Sequence, residues 1–165
     1  MNNIYVKKEN DNIVLIYKDL KVPAYIGKNG FTKDKVEGDM KTPIGEFDLG
    51  IVFGKHDLDI KLPYVKINEN HYWVDDVNSE DYDRLIESKE KPNFSAEHLI
   101  DYVDDAYEYA IDIIENPEYI RGRGSAIFLH CKRKEYTAGC VAISKEDMEK
   151  LIYMIDSDTK IVIEG

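Results

Sequence analysis

Apolar and polar residues alternate along the first third of the chain, the period of a strand with one covered face. Asn12–Tyr17 carries the strongest such pattern, and residues 21–26 make a natural partner across a turn at Asp19. The cluster 27–30 (Gly-Lys-Asn-Gly) reads as a turn. Gly38, Pro43 and Gly45 then punctuate residues 36–47, which predicts a structured loop leading into a strand. Residues 64–67 and 71–75 are further strand candidates.

The pattern changes after Ser95. Leu99, Val103, Ala106, Ala110, Ile111 and Ile114 recur at helical spacing, Ser95 is a suitable N-cap, and Pro117 is a stop. This predicts one long helix. A loop follows at 121–124, then a buried strand over 125–129. A second helix starts at Ser144, with Glu146 and Asp147 in its first turn and Met148, Leu151, Ile152 and Ile155 on one face. Residues 160–163 close the chain as a strand. The class expected is mostly β with flanking helices (α+β), in a single domain over 1–165.

Composition narrows the field. The chain has 165 residues, enough for a real core, and is 43% hydrophobic and 33% charged. The net charge of −11 argues against nucleic acid as a partner. No apolar run approaches the roughly 18 residues of a membrane span. No apolar segment with a cleavage site is visible at the N-terminus. The 12 tyrosines include Tyr102, Tyr107 and Tyr109, which are expected to pack on or beside the core. Asp75, Asp76, Asp104 and Asp105 lack the alternating oxygens, central glycine and terminal Glu of a calcium loop, so no calcium site is expected.

Chemistry concentrates in one segment. An apolar strand ends at His130-Cys131, a basic loop follows, and Tyr136-Thr-Ala-Gly-Cys140-Val-Ala-Ile-Ser144 returns. A thiol reacts as its thiolate and needs a base or positive charge nearby. A strand end and a returning loop bring a His and a Cys ten positions apart within reach. Cys140 read alone is equally a buried structural thiol, and His130 alone a structural histidine. Cys131 reads as a small space-filler whose backbone carbonyl orients the His130 ring; a disulfide to Cys140 is the alternative. The two cysteines lack the companions a zinc site needs. His56, His71 and His98 have no comparable context.

The wording of this segment resembles the active-site region of the YkuD-type L,D-transpeptidases. His130 matches the family's upstream histidine, and Thr137, Gly139 and Cys140 match its Ser/Thr-His-Gly-Cys. Ala138 stands where that pattern has a second histidine, and Ala142 where it has Arg or Asn. The form Thr-Ala-Gly-Cys-Val-Ala is closer to a sub-branch in which Thr-x-Gly-Cys-Val-Ala is common. The segment from Glu37 to Phe47 resembles the family's Gly-Asp-x-x-Thr-Pro-x-Gly-x-Phe element, which lies near the donor-peptide cleft. Trp73, Asp75 and Asp76, followed by Ser79, Tyr82 and Arg84, extend the likeness, so it covers residues 36–165.

The resemblance implies a cysteine enzyme that remodels peptidoglycan stem peptides, with Cys140 as nucleophile, His130 as base and then acid, and the backbone N–H groups of Gly139 and Cys140 as oxyanion donors. Thr137, Arg133, Thr42 and Gly45 are candidates for the substrate side of the cleft. Arg121, Arg123, Lys132, Arg133 and Lys134 form a basic cluster, either a solvated loop or a clamp for stem-peptide carboxylates. The resemblance implies no metal and no organic cofactor, and carbapenems as acylating inhibitors. It implies a location at the cell wall, with the cytoplasm as the alternative because no export segment is visible. Two further readings stay open: an L,D-carboxypeptidase that uses water as acceptor, and a non-catalytic wall-binding or interaction module.

Overall fold

The computed structural model describes residues 2–102 and 105–165. Val103 of the expected long helix and Asp104 of the acidic group lie outside the described residues.

The chain opens as an antiparallel meander of β1 (Asn3–Glu9), β2 (Asn12–Tyr17) and β3 (Leu20–Pro23). Asn10 and Lys18, both at positive φ, turn the two hairpins. β4 (Phe31–Thr32) and β5 (Thr42–Pro43) form a short parallel pair that brackets the loop at 33–41. The long β6 (Gly45–Gly54) carries β7 (Tyr64–Lys66) beside its end. A small antiparallel sheet has β8 (His71–Val74) between β9 (Leu85–Glu87) and β10 (Ala96–His98). β11 (Tyr109–Ile114), β12 (Phe128–Cys131), β13 (Val141–Ile143), α1 (Lys145–Met154) and β14 (Lys160–Ile163) complete the chain. The main sheet runs β13-β12-β11-β6-β14-β1-β2-β3.

The sheet closes on itself. Tyr25, just beyond β3, exchanges two backbone hydrogen bonds of 2.9 Å with Ala142 of β13, joining the two edge strands. Closure leaves fewer exposed strand edges.

The expected long helix is not present in the described residues. Residues 96–98 are strand β10, Leu99–Asp101 make a single 3-10 turn, and 109–114 are strand β11. The reason lies in two-sided burial. β11 sits between β6 and β12 with a core on each face. Tyr109, Ile111 and Ile113 enter the core that includes Val52, Leu129 and Leu151, while Ala110 enters a second core with Phe53, Trp73 and Phe128. A strand covered on both faces is apolar at nearly every position, so spacings of three and four occur within it as readily as in a helix. The β-branched residues 111, 113 and 114 favour the extended form.

The second helix is where the pattern places it. Ser144 Oγ accepts from Asp147 N–H at 3.2 Å, and Met148, Leu151 and Ile152 are buried.

Candidate active site

The sheet closes beside Cys140. Lys28 N–H bonds the Thr137 carbonyl at 3.0 Å and Thr137 N–H the Ile26 carbonyl at 2.9 Å, so the turn before Cys140 is sewn to the segment after β3. Two threonine hydroxyls complete the turn. Buried Thr42 accepts from Gly27 N–H and donates to the Gly139 carbonyl, both at 2.8 Å. Thr137 accepts from Gly139 N–H at 3.0 Å and donates to the Cys140 carbonyl at 2.6 Å. Gly139 has φ +141, and a Cβ there would stand 3.0 Å from both Lys35 Nζ and the Lys41 carbonyl. The residue before the cysteine is glycine for both reasons.

The period of two along β12 sorts its side chains. Phe128 and His130 share one face, while Leu129 and Cys131 share the other. His130 therefore lies against the ring of Tyr107, edge to face at 5.7 Å. Cys131 is 2% exposed in the opposite core, its S–H on the Tyr109 carbonyl at 3.6 Å. Burial pushes the Cys131 thiol up to about 11.

Cys140 and His130 line one cavity of about 290 Å³. Its walls include Lys35, Glu37, Glu97, Tyr102, Tyr107 and Arg133. His130 Nδ1 lies 2.8 Å from the Cys131 carbonyl. A carbonyl only accepts, so Nδ1 carries the proton and Nε2 keeps its lone pair in the neutral ring. Burial lowers His130 to about 4, against the opposing effect of that bond. The Cys140 sulfur accepts from Phe128 N–H at 3.3 Å and donates to the Ala126 carbonyl at 3.2 Å. Burial pushes its thiol up to about 12. At neutral pH the resting pair is thus thiol and neutral imidazole.

Asp83 holds this arrangement from behind. Its Oδ1 accepts from Trp73 Nε1 at 2.9 Å and from Ala126 N–H at 3.0 Å. Ala126 has φ +53, a left-handed conformation that costs a non-glycine residue about 1 kcal/mol. The carbonyl of this strained residue is the one that holds the thiol proton. In the same cavity Glu97 Oε2 accepts from Tyr107 O–H at 3.0 Å, and burial raises its carboxyl to about 7.

Of the residues singled out in the sequence, Cys140, His130, Thr137 and Arg133 line the cavity. Thr42 lies beneath the turn as a support. Gly45 begins β6, paired with Ile163 and covered by the Phe47 ring. Neither lines the cavity; from this part of the chain Lys35, Glu37, Gly38 and Met40 do so. Gly139 N–H, one of the two expected oxyanion donors, is bonded to Thr137 Oγ1. Glu97, Tyr102 and Tyr107 line the cavity from a stretch whose described residues form a strand, a single 3-10 turn and bends in place of the expected long helix, so the sequence pattern concealed them. Lys35 carried no signal in the sequence.

The family model for the YkuD L,D-transpeptidase catalytic domain matches residues 2–163, and the chain belongs to this family. The match takes in the first hairpin, which bears no signature of its own. No curated protein matches the chain. Among solved structures it is similar to Pgp2 from Campylobacter jejuni, described as a helical cell shape determining protein, at 16% identity and TM-score 0.51. That likeness covers 99% of this chain and 47% of Pgp2. It is also similar to Bd1075 from Bdellovibrio bacteriovorus, at 20% identity and TM-score 0.50, covering 98% of this chain and 46% of the other. The chain thus spans about half the length of either, and the likeness is one of fold.

Proposed function

We propose that the chain is a cysteine-dependent L,D-transpeptidase that acts on peptidoglycan stem peptides, at the cell wall, through a thioester acyl-enzyme. One observation carries this reading. Cys140 and His130, brought in by a closing loop and by β12, line one cavity, and the tautomer of His130 is fixed by the Cys131 carbonyl.

The resting protonation states favour general-base catalysis over a preformed ion pair. The Cys140 side chain turns from the Ala126 carbonyl and gives its proton to His130 Nε2 as sulfur bonds to the carbonyl carbon at the L-centre. Cys140 N–H serves the tetrahedral oxyanion. As the C–N bond breaks, His130 returns the proton to the departing amine of the D-residue. The amine of a second stem peptide then attacks the thioester and releases the thiol. Arg133 and Lys134 supply positive charge for a stem-peptide carboxylate at the cavity wall. By the same attack a carbapenem acylates Cys140.

Incubation with defined muropeptides followed by mass analysis is the test. Cross-linked product bears out the proposal. Loss of the terminal D-residue with gain of water identifies a carboxypeptidase. No product from folded protein favours a binding module.

A further inference from the structure

We propose that Lys35 is a positioning residue whose buried ammonium, held beside Gly139 by its own loop, supplies the positive charge that supports the Cys140 thiolate as it forms. The inference rests on the reading of Cys140 as nucleophile. Lysine is rarely buried, because removing its charge from water costs several kcal/mol unless the ion is paired. Lys35 is 6% exposed. Its Nζ donates to Asp39 Oδ1 at 2.5 Å and to the Lys41 carbonyl at 2.8 Å. An ammonium has three protons, so these bonds leave one. Nζ would stand 3.0 Å from a Cβ on Gly139, and Lys35 itself lines the cavity that holds the sulfur.

Arg133, Lys134, Glu37 and Asp75 also line the cavity, but the cation that acts on the sulfur is Lys35. Glu97, also in the cavity lining, opposes ionisation of the thiol whenever it is itself charged. His130 is neutral above about pH 4, and Tyr102 and Tyr107 are held protonated by burial. Ala138 and Ala142, on either side of the nucleophile, bring no charge. Lys35 favours the thiolate. Around Lys35 itself stand Asp39, the principal counter-ion, and Glu115 at the end of β11. Holding the loop of residues 35–41 alone needs no charge, since a neutral hydrogen-bonding pair would hold it as well. A charge acting on sulfur makes a different, measurable demand.

The test is the rate of iodoacetamide alkylation of Cys140 from pH 6 to 10, read on the tryptic peptide by mass, in proteins with matched thermal melting. Lys35→Arg keeps the charge and should hold the profile within about twofold. The double variant Lys35→Met with Asp39→Asn removes both charges and should move the profile to higher pH, slowing alkylation at pH 8 by about tenfold or more, the worth of one pKa unit. Asp39→Asn alone leaves Lys35 less neutralised and should speed alkylation at pH 8. An unchanged profile in the double variant, or slower alkylation in Asp39→Asn, overturns the proposal. If the double variant does not fold, Asp39→Asn decides. Alkylation needs no stem peptide, so a Lys35-dependent profile without muropeptide turnover sinks the proposed activity and leaves this inference standing. A Cys140 inert at every pH sinks both.

Discussion

Burial holds both candidate catalytic groups neutral, and this has a signature in pH. His130 must be unprotonated to accept the thiol proton, and its value near 4 means that it is so throughout the physiological range. The acid limb of kcat/KM for the free enzyme should therefore fall near pH 4, with activity rising as pH rises through it and a plateau across neutrality. A preformed thiolate–imidazolium pair would instead give a bell centred between two closer values. His130→Ala should slow acylation by roughly 10²–10⁴-fold, the usual worth of a positioned base. Cys140→Ala should abolish the acyl-enzyme. Full activity in His130→Ala would require another base. The direct evidence at this scale was legible in the sequence, because His130 and Cys140 are joined by a short loop with a distinctive wording. The orientation of the sulfur was not, because it depends on Ala126, whose unusual backbone is fixed by Asp83 from more than 40 positions away.

Among the elements, the Thr42 hydroxyl is where β5 meets the Cys140 turn. Thr42→Val keeps the shape but leaves Gly27 N–H without its acceptor and the Gly139 carbonyl without its donor. Two buried groups left unmade cost roughly 2–4 kcal/mol, and denaturant melts should show a loss of that size. Thr42→Ser should recover most of it. If valine is tolerated without loss, the two strand-edge bridges and the Thr137 hydroxyl suffice to hold the turn. The α1 helix was readable because its cap, first-turn acids and apolar stripe are all local. β11 was misread because what decides its conformation is a core on each face, built by Phe53, Trp73 and Phe128 on one side and by Val52 and Leu151 on the other. A residue window carries no record of partners that lie 50 positions away.

Across the whole molecule, burial shifts a set of carboxyl groups upward: Asp83 to about 6, Glu97 to about 7, and Asp112 and Glu115 to about 8. Each has a folded value above its unfolded one. Its stabilising effect is complete below the unfolded carboxyl range near pH 4 and is lost as pH rises through about 6 to 8. His130 acts in the opposite sense: its contribution is present above about 6.5 and lost as pH falls toward 4. Four groups outweigh one, so the melting temperature should be higher near pH 5.5 than at pH 8. Asp112→Asn should raise stability at pH 8, by on the order of 1–3 kcal/mol, and change it little at pH 5. Equal effects at the two pH values would mean that Asp112 is not protonated in the fold.

The position of β14 has a consequence in time. This strand lies between β6 and β1, parallel to β1 and antiparallel to β6, and so joins the opening meander to the rest of the main sheet. During synthesis the residues that form it leave the ribosome after everything they must connect. Until they arrive, the meander is not anchored through β14, and the Tyr25–Ala142 closure beside the thiol lacks that support. The fold therefore leaves Cys140 without a finished pocket while the chain is nascent, and the cavity that Cys140 shares with His130 is completed as β14 inserts.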